Sequence, residues 1–112
     1  MKAKSDIETL TAAILKFRDD RDWAQFHDLK NLAVCLNVEA AELLEVFLWK
    51  NAEEADKAKL ADELADVFYS AFMLAHTAGL DVRKIVLAKL KKNAVKYPVK
   101  KARGSRKKYD EF

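Results

Sequence analysis

A chain of 112 residues, 51% hydrophobic and 35% charged with two Gly and one Pro, has the composition of one helical globular domain and not of a disordered polymer. It is small for burying a large core alone, so self-association is expected. One cysteine, Cys35, leaves no internal disulfide, no apolar run reaches the ~18 residues that span a bilayer, and no signal segment is recognisable, which together point to a cytoplasmic protein without membrane contact.

The net charge of +3 is unevenly spread: residues 98–112 hold six Lys and Arg against two acids, a local +4 that leaves −1 for residues 1–97. The body is read as the domain, 1–97, and the tail as a basic arm, 98–112. Such an arm can hold nucleic acid through its phosphates, or the phosphates of a small ligand bound to the acidic body.

In chain order, Ser5-Asp6-Ile7-Glu8 has the form of a capping box and opens a helix that runs to about residues 18–20. Ile7, Leu10, Ile14 and Phe17 share its apolar stripe. Trp23, Phe26 and His27 follow in a short connection, and Asp28 is placed to cap a second helix over 29–50. Its Leu29, Leu32, Leu36, Leu43 and Phe47 are joined by Ala33, Ala40 and Ala41, so it is apolar round most of its girth. That calls for burial on more than one side, in a bundle or against a second subunit. Cys35, on the same helix, reads as a small core residue. Asn51, with Glu54 three residues on, offers the cap of a third helix through Leu60, Leu64, Val67, Phe68, Ala71 and Leu74, and Gly79 ends it. Asp81 caps a fourth helix to about Lys96, which Pro98 closes. Residues 99–112 lack a stripe and read as an extended arm, partly disordered without a ligand. The fold class is all-α, four helices up and down with short connections.

Two acid-x-x-acid pairs, Glu39/Glu42 and Glu63/Asp66, carry the chemistry. Residues three apart share a helix face, so two such helices laid antiparallel would gather four carboxylates. Residues 39–66 hold nine acids against Lys50, Lys57 and Lys59, a local net of −6, and repulsion at that density implies a cation among them. Acids in so apolar a helix must be paired, metal-bound or costly. An all-oxygen set suits Mg²⁺, with Mn²⁺ as substitute, while His27 and His76 are too isolated for a transition metal. No Glu-x-x-His pair of the di-iron bundles is present. Mg²⁺ on carboxylates keeps positions for substrate phosphates and activates water, so phosphoanhydride hydrolysis is the chemistry implied. Glu45, one further step of three along, is open as a metal ligand, a general base or a surface acid.

Lys89, Asn93 and Lys96 fall on one face of the fourth helix, followed by Lys100, Lys101, Arg103, Arg106, Lys107 and Lys108. They are either donors for phosphates or a solvated face with a solubilising tail. Trp23, Phe26, His27, Trp49 and Tyr97 are either core or a slot for a nucleobase, with Trp23 and Trp49, at helix ends, the better slot candidates.

The run Val38-Glu39-Ala40-Ala41-Glu42-Leu43-Leu44-Glu45, followed by Asp62-Glu63-Leu64-Ala65-Asp66-Val67, resembles the E-x-x-E … E-x-x-D signature of MazG-type nucleoside triphosphate pyrophosphohydrolases. Arg21-Asp22-Trp23-Ala24-Gln25-Phe26-His27, Phe47-Leu48-Trp49-Lys50, Asn93, Tyr97-Pro98 and Arg103-Gly104-Ser105-Arg106-Lys107-Lys108-Tyr109 extend the likeness to the small, single-domain dCTP pyrophosphatase branch. The resemblance implies an all-α homo-oligomeric bundle, a dimer or tetramer, with a basic C-terminal arm, using Mg²⁺ to cleave a nucleoside triphosphate between its α and β phosphates. It implies Glu39, Glu42, Glu63 and Asp66 as metal ligands and Trp23, His27 and Trp49 as the base and sugar pocket. Lys89, Asn93, Tyr97 and the arm, Arg106 and Lys108 included, would meet the phosphates or a neighbouring subunit. One departure stands out: where that branch commonly has a Tyr four residues after the last metal Asp, this chain has Ser70, with Tyr69 one place earlier. One residue turns a helical side chain by about 100°.

The leading expectation is therefore a Mg²⁺-dependent pyrophosphohydrolase acting on dCTP or modified dCTP. A small helical nucleic-acid-binding protein working through the arm is the alternative, disfavoured because the acidic centre repels a nucleic-acid backbone.

Overall fold

A computed structural model describes residues 3–112, and among them all regular structure is helical. The first two residues of the expected 1–97 domain lie outside the described residues. Helix α1 spans Asp6–Asp20 behind the expected capping box: Ser5 Oγ accepts from the Glu8 N–H at 3.2 Å, and the Glu8 carboxylate accepts from the Ser5 N–H at 3.3 Å. After α1 the chain turns at Asp22, φ 54, and makes a single 3-10 turn at Ala24–Phe26.

Helix α2 covers Leu29–Glu45, with the Asp28 carboxylate accepting from the Asn31 N–H at 2.7 Å. It stops five residues short of the expected end. The N–H groups of Val46, Phe47 and Leu48 bond three residues back, to Leu43, Leu44 and Glu45 at 3.2, 3.0 and 3.1 Å, and Trp49 then enters the left-handed region at φ 62. Asn51 does donate its N–H to the Glu54 carboxylate at 3.1 Å, yet it starts only the 3-10 turn Ala52–Glu54. The true cap of the third helix is Asp56, which accepts from the Ala58 and Lys59 N–H groups at 2.9 and 3.2 Å and opens α3, Lys57–Thr77. Gly79, φ 71, ends α3 as expected: its N–H bonds to the His76 carbonyl at 3.0 Å and that of Leu80 to Ala75 at 2.9 Å, the paired closure that needs a left-handed residue after the helix.

Helix α4, Val82–Lys96, follows Asp81, whose carboxylate accepts from the Lys84 N–H at 2.9 Å. The arm differs from expectation. Instead of extending, it forms a short helix α5, Val99–Ala102, turns at Gly104 with φ 72, and ends in a 3-10 turn at Tyr109–Glu111.

The chain divides into two compact units, one through Leu80 and one over Asp81–Phe112. In the first, α3 is the central element, with α2 packed along it and α1 against it. Its buried side chains are Leu32 and Val46 around α2 and Ser70, Met73 and Ala75 on α3. Met73 is fully enclosed and takes an N–H from the Arg18 guanidinium on its sulfur at 3.8 Å. The apolar girth of α2 is only partly covered, since Val34 and Leu44 keep 54% and 71% of their surface exposed. Cys35 is exposed too, not a core residue. No helix of the described residues is long and apolar enough to cross a membrane.

Candidate functional site

Packing α2 along α3 brings the acid pairs together. Glu39, Glu63 and Asp66 each offer an oxygen within 4.8 Å of the other two. Glu42 lies close enough to both Glu39 and Glu63 to perturb them. Burial, then the charges of Glu42 and Asp66, hold Glu39 above its ordinary value of 4.5, and the same three causes raise Glu63. Both residues are half-buried overall, but Oε2 of each is shut off from solvent and has no hydrogen-bond partner. Sealed carboxylate oxygens without donors are costly, and among the described residues no lysine or arginine forms an ion pair with them. The fold therefore concentrates negative charge that its own residues do not neutralise. Oxygens alone, hard and anionic, fit a hard divalent cation and not a thiophilic one.

Beside the carboxylates lies a cavity of about 520 Å³, within the range of small-molecule sites. Glu39 and Asp66 form its charged wall. Leu10, Ala13, Ile14 and Phe17 of α1, with Trp23 and Tyr69, form the rest. The rings brace one another: Phe17 meets Trp23 edge-on at 5.7 Å and Tyr69 at 6.0 Å, and the Arg21 guanidinium lies 3.7 Å over the Phe17 ring. Burial raises the Tyr69 phenol above 10.0, so at neutral pH it carries its proton and can donate it in a hydrogen bond.

Of the residues singled out in the sequence, Glu39, Glu63 and Asp66 come together, Glu42 stands beside them outside the 4.8 Å set, and Trp23 enters the cavity wall. Glu45 is exposed at the end of α2, outside the 4.8 Å set. His27 is half-buried, its Nδ1 sealed without a partner, and it is not among the residues that line the cavity. Trp49 does not line it either and stands 95% exposed. Lys89, Asn93 and Tyr97 lie at four-residue steps of the second unit, along α4 and at its C-cap, with Asn93 half-buried, and Arg106 and Lys108 are exposed in the arm. The displaced tyrosine is accounted for: Tyr69, three residues after Asp66, lines the cavity beside it, while Ser70 is turned into the core. The α1 wall was missed. Its signal was the stripe Leu10, Ile14 and Phe17, which as a sequence pattern is the same for a core face and for a cavity face.

The sequence matches the model of the MazG-like family over residues 34–112. It is 38% identical to dCTP pyrophosphatase 1 of Bos taurus and to that of Homo sapiens, in both cases over 96% of this chain, and it spans 66% of the length of these relatives. Its fold is similar to that of a pyrophosphatase from Archaeoglobus fulgidus, with a TM-score of 0.80 and 34% identity over 88% of this chain and 97% of that one.

Proposed function

The chain belongs to the MazG-like family, and from that premise we propose that it is a Mg²⁺-dependent pyrophosphohydrolase. It cleaves nucleoside triphosphates, dCTP or a modified dCTP foremost, into the monophosphate and pyrophosphate. One observation carries the reading: the apolar cavity and the carboxylate cluster share two residues, Glu39 and Asp66. A base held among Leu10, Ile14, Phe17, Trp23 and Tyr69 thus leaves its phosphates at the acids.

Glu39, Glu42, Glu63 and Asp66 hold the metal, whose place Mn²⁺ can take. A divalent cation held by these carboxylates would supply a Lewis acid for a phosphoryl oxygen and a more acidic water. The carboxylates orient that centre and repel a nucleotide that arrives without a cation. Glu45, free of the cluster, is available to take the proton of the attacking water. Trp23 contacts the base from the cavity wall; the resemblance alone implies His27 and Trp49 at base and sugar, and Lys89, Asn93, Tyr97, Arg106 and Lys108 at the phosphates or a neighbouring subunit. In domain terms, residues 1–97 are the catalytic domain and 98–112 its basic arm. The exposed apolar face of α2, with Val34 and Leu44, and the exposed Trp49 support a dimer or tetramer in which a second copy covers them. Clearing the nucleotide pool suits a cytoplasmic enzyme.

The test is pyrophosphate release from a panel of ribo- and deoxynucleoside triphosphates with Mg²⁺ and with chelator. Release is expected only with the metal and is expected to be abolished by Asp66→Asn. Release that survives chelator or Asp66→Asn refutes the metal assignment, and no release from any nucleotide refutes the activity.

A further inference from the structure

The second unit contains an arrangement that the resemblance does not explain. Tyr97, the C-cap of α4, is met edge-on by two rings from the end of the arm, Tyr109 at 6.0 Å and 86° and Phe112 at 5.9 Å and 89°. The Lys96 ammonium lies 4.8 Å from the Tyr109 ring. These rings close residues 98–108 into a loop that carries Lys100, Lys101, Arg103, Arg106, Lys107 and Lys108 and no acid. Gly104, φ 72, makes its turn, and Ser105 Oγ accepts from the Lys107 N–H at 3.3 Å. The ion pairs among the described residues are Lys16–Asp20 and Arg18–Asp19, so none of the six cations is paired with an acid.

Six like charges in nine residues repel, and a charged segment left to itself extends. Closing it also costs loop entropy. The loop is nonetheless shut, and aromatic rings do the shutting. We propose that Tyr97, Tyr109 and Phe112 are positioning residues, an aromatic clasp that holds loop 98–108 closed as a preformed cradle for a chain of phosphates. That the phosphates belong to a nucleotide rests on the pyrophosphohydrolase reading; the clasp itself does not. Tyr97 then acts on the substrate through the loop. Only the closed loop gathers its cations on one anion, so apparent affinity falls with the fraction closed. Loss of one of two ring pairs, about 0.5–1.5 kcal/mol, is expected to weaken binding by roughly two- to twelvefold.

Tyr109→Ala, Phe112→Ala and Tyr109→Phe in the full chain test this. Tryptic cleavage at Lys100–Lys108, followed by mass spectrometry, is expected to be slow in the wild type and slowed further by inorganic triphosphate. It is expected to speed up in both alanine variants and to stay at the wild-type rate in Tyr109→Phe, which keeps the ring. In turnover, the alanine variants should raise KM for the nucleotide by that factor with kcat within about twofold. Equal cleavage of wild type and Tyr109→Ala overturns the clasp, as does a Tyr109→Phe variant that behaves like Tyr109→Ala, or a fall in kcat at constant KM. Absence of turnover on every nucleotide defeats the pyrophosphohydrolase reading alone, because cleavage and triphosphate protection still decide the clasp.

Discussion

Trp23→Ala asks whether the cavity holds the base. The indole is 42% exposed and packs edge-on against Phe17 at 5.7 Å, which leaves ring surface toward the cavity that it lines. Stacking of a base on an aromatic side chain is worth roughly 1–3 kcal/mol, and about 1.4 kcal/mol is tenfold in affinity. KM for a preferred nucleotide should therefore rise roughly five- to 140-fold. The contact exists in the ground state as well as the transition state, so kcat should fall much less. The structural cost is smaller: the ring pair contributes about 0.5–1.5 kcal/mol, and Phe17 stays braced by Tyr69 at 6.0 Å and Arg21 at 3.7 Å. Trp23→Phe should recover most of the loss. The assay is steady-state pyrophosphate release, with inorganic triphosphate as a competitor that has no base and whose inhibition constant should not move. An unchanged KM, or an inhibition constant that rises in step with KM, would refute the placement of the base.

Two further predictions concern stability. Glu39 and Glu63 are raised above 4.5, so the folded protein binds their protons more tightly than the unfolded chain; their contribution is fully present below 4.5 and is lost as pH rises through the elevated values. Asp56, lowered below 3.8 by the Lys59 and Ala58 N–H groups, acts in the opposite sense and only in more acid solution. With chelator, the urea midpoint should fall as pH is raised from about 4.5 to 7, and Mg²⁺ should restore it; a midpoint that climbs over that interval contradicts the crowding of the acids. Asp81→Ala removes the acceptor for the Lys84 N–H and should cost about 1 kcal/mol, seen as a thermal midpoint lower by several degrees, whereas no shift would mean that α4 does not depend on its cap.

What could be read in advance was local. Ser5, Asp28 and Asp81 announce their helices because a cap and its N–H partners lie within three residues of each other, and Gly79 announces a stop because the turn after α3 needs φ 71. The acid pairs were legible for the same reason, since the spacing of three fixes the face. The end of α2 was not, because residues 46–51 contain no Gly or Pro and the reversal falls on a tryptophan. Asn51 and Asp56 are both competent caps, and local sequence does not reveal that the backbone leaves the helical region at Ala55, ψ 136, between them. The closure of the arm depends on Tyr97 meeting rings twelve and fifteen residues away, a non-local encounter that no periodicity encodes. His27 shows the same limit: its composition and neighbours suit a pocket, but only the fold reveals that its Nδ1 is sealed.

Trp49 holds a left-handed backbone at φ 62 while its indole stands 95% in solvent. For a residue with a Cβ that conformation costs roughly 1–2 kcal/mol, which glycine avoids. The isolated chain gains nothing visible in return, so fold stability and whatever uses the indole favour different residues at this one position. A thermostability selection blind to turnover would accumulate Trp49→Gly early, and its winners would be sturdier proteins stripped of the indole and of whatever contact it makes to a substrate or a second copy.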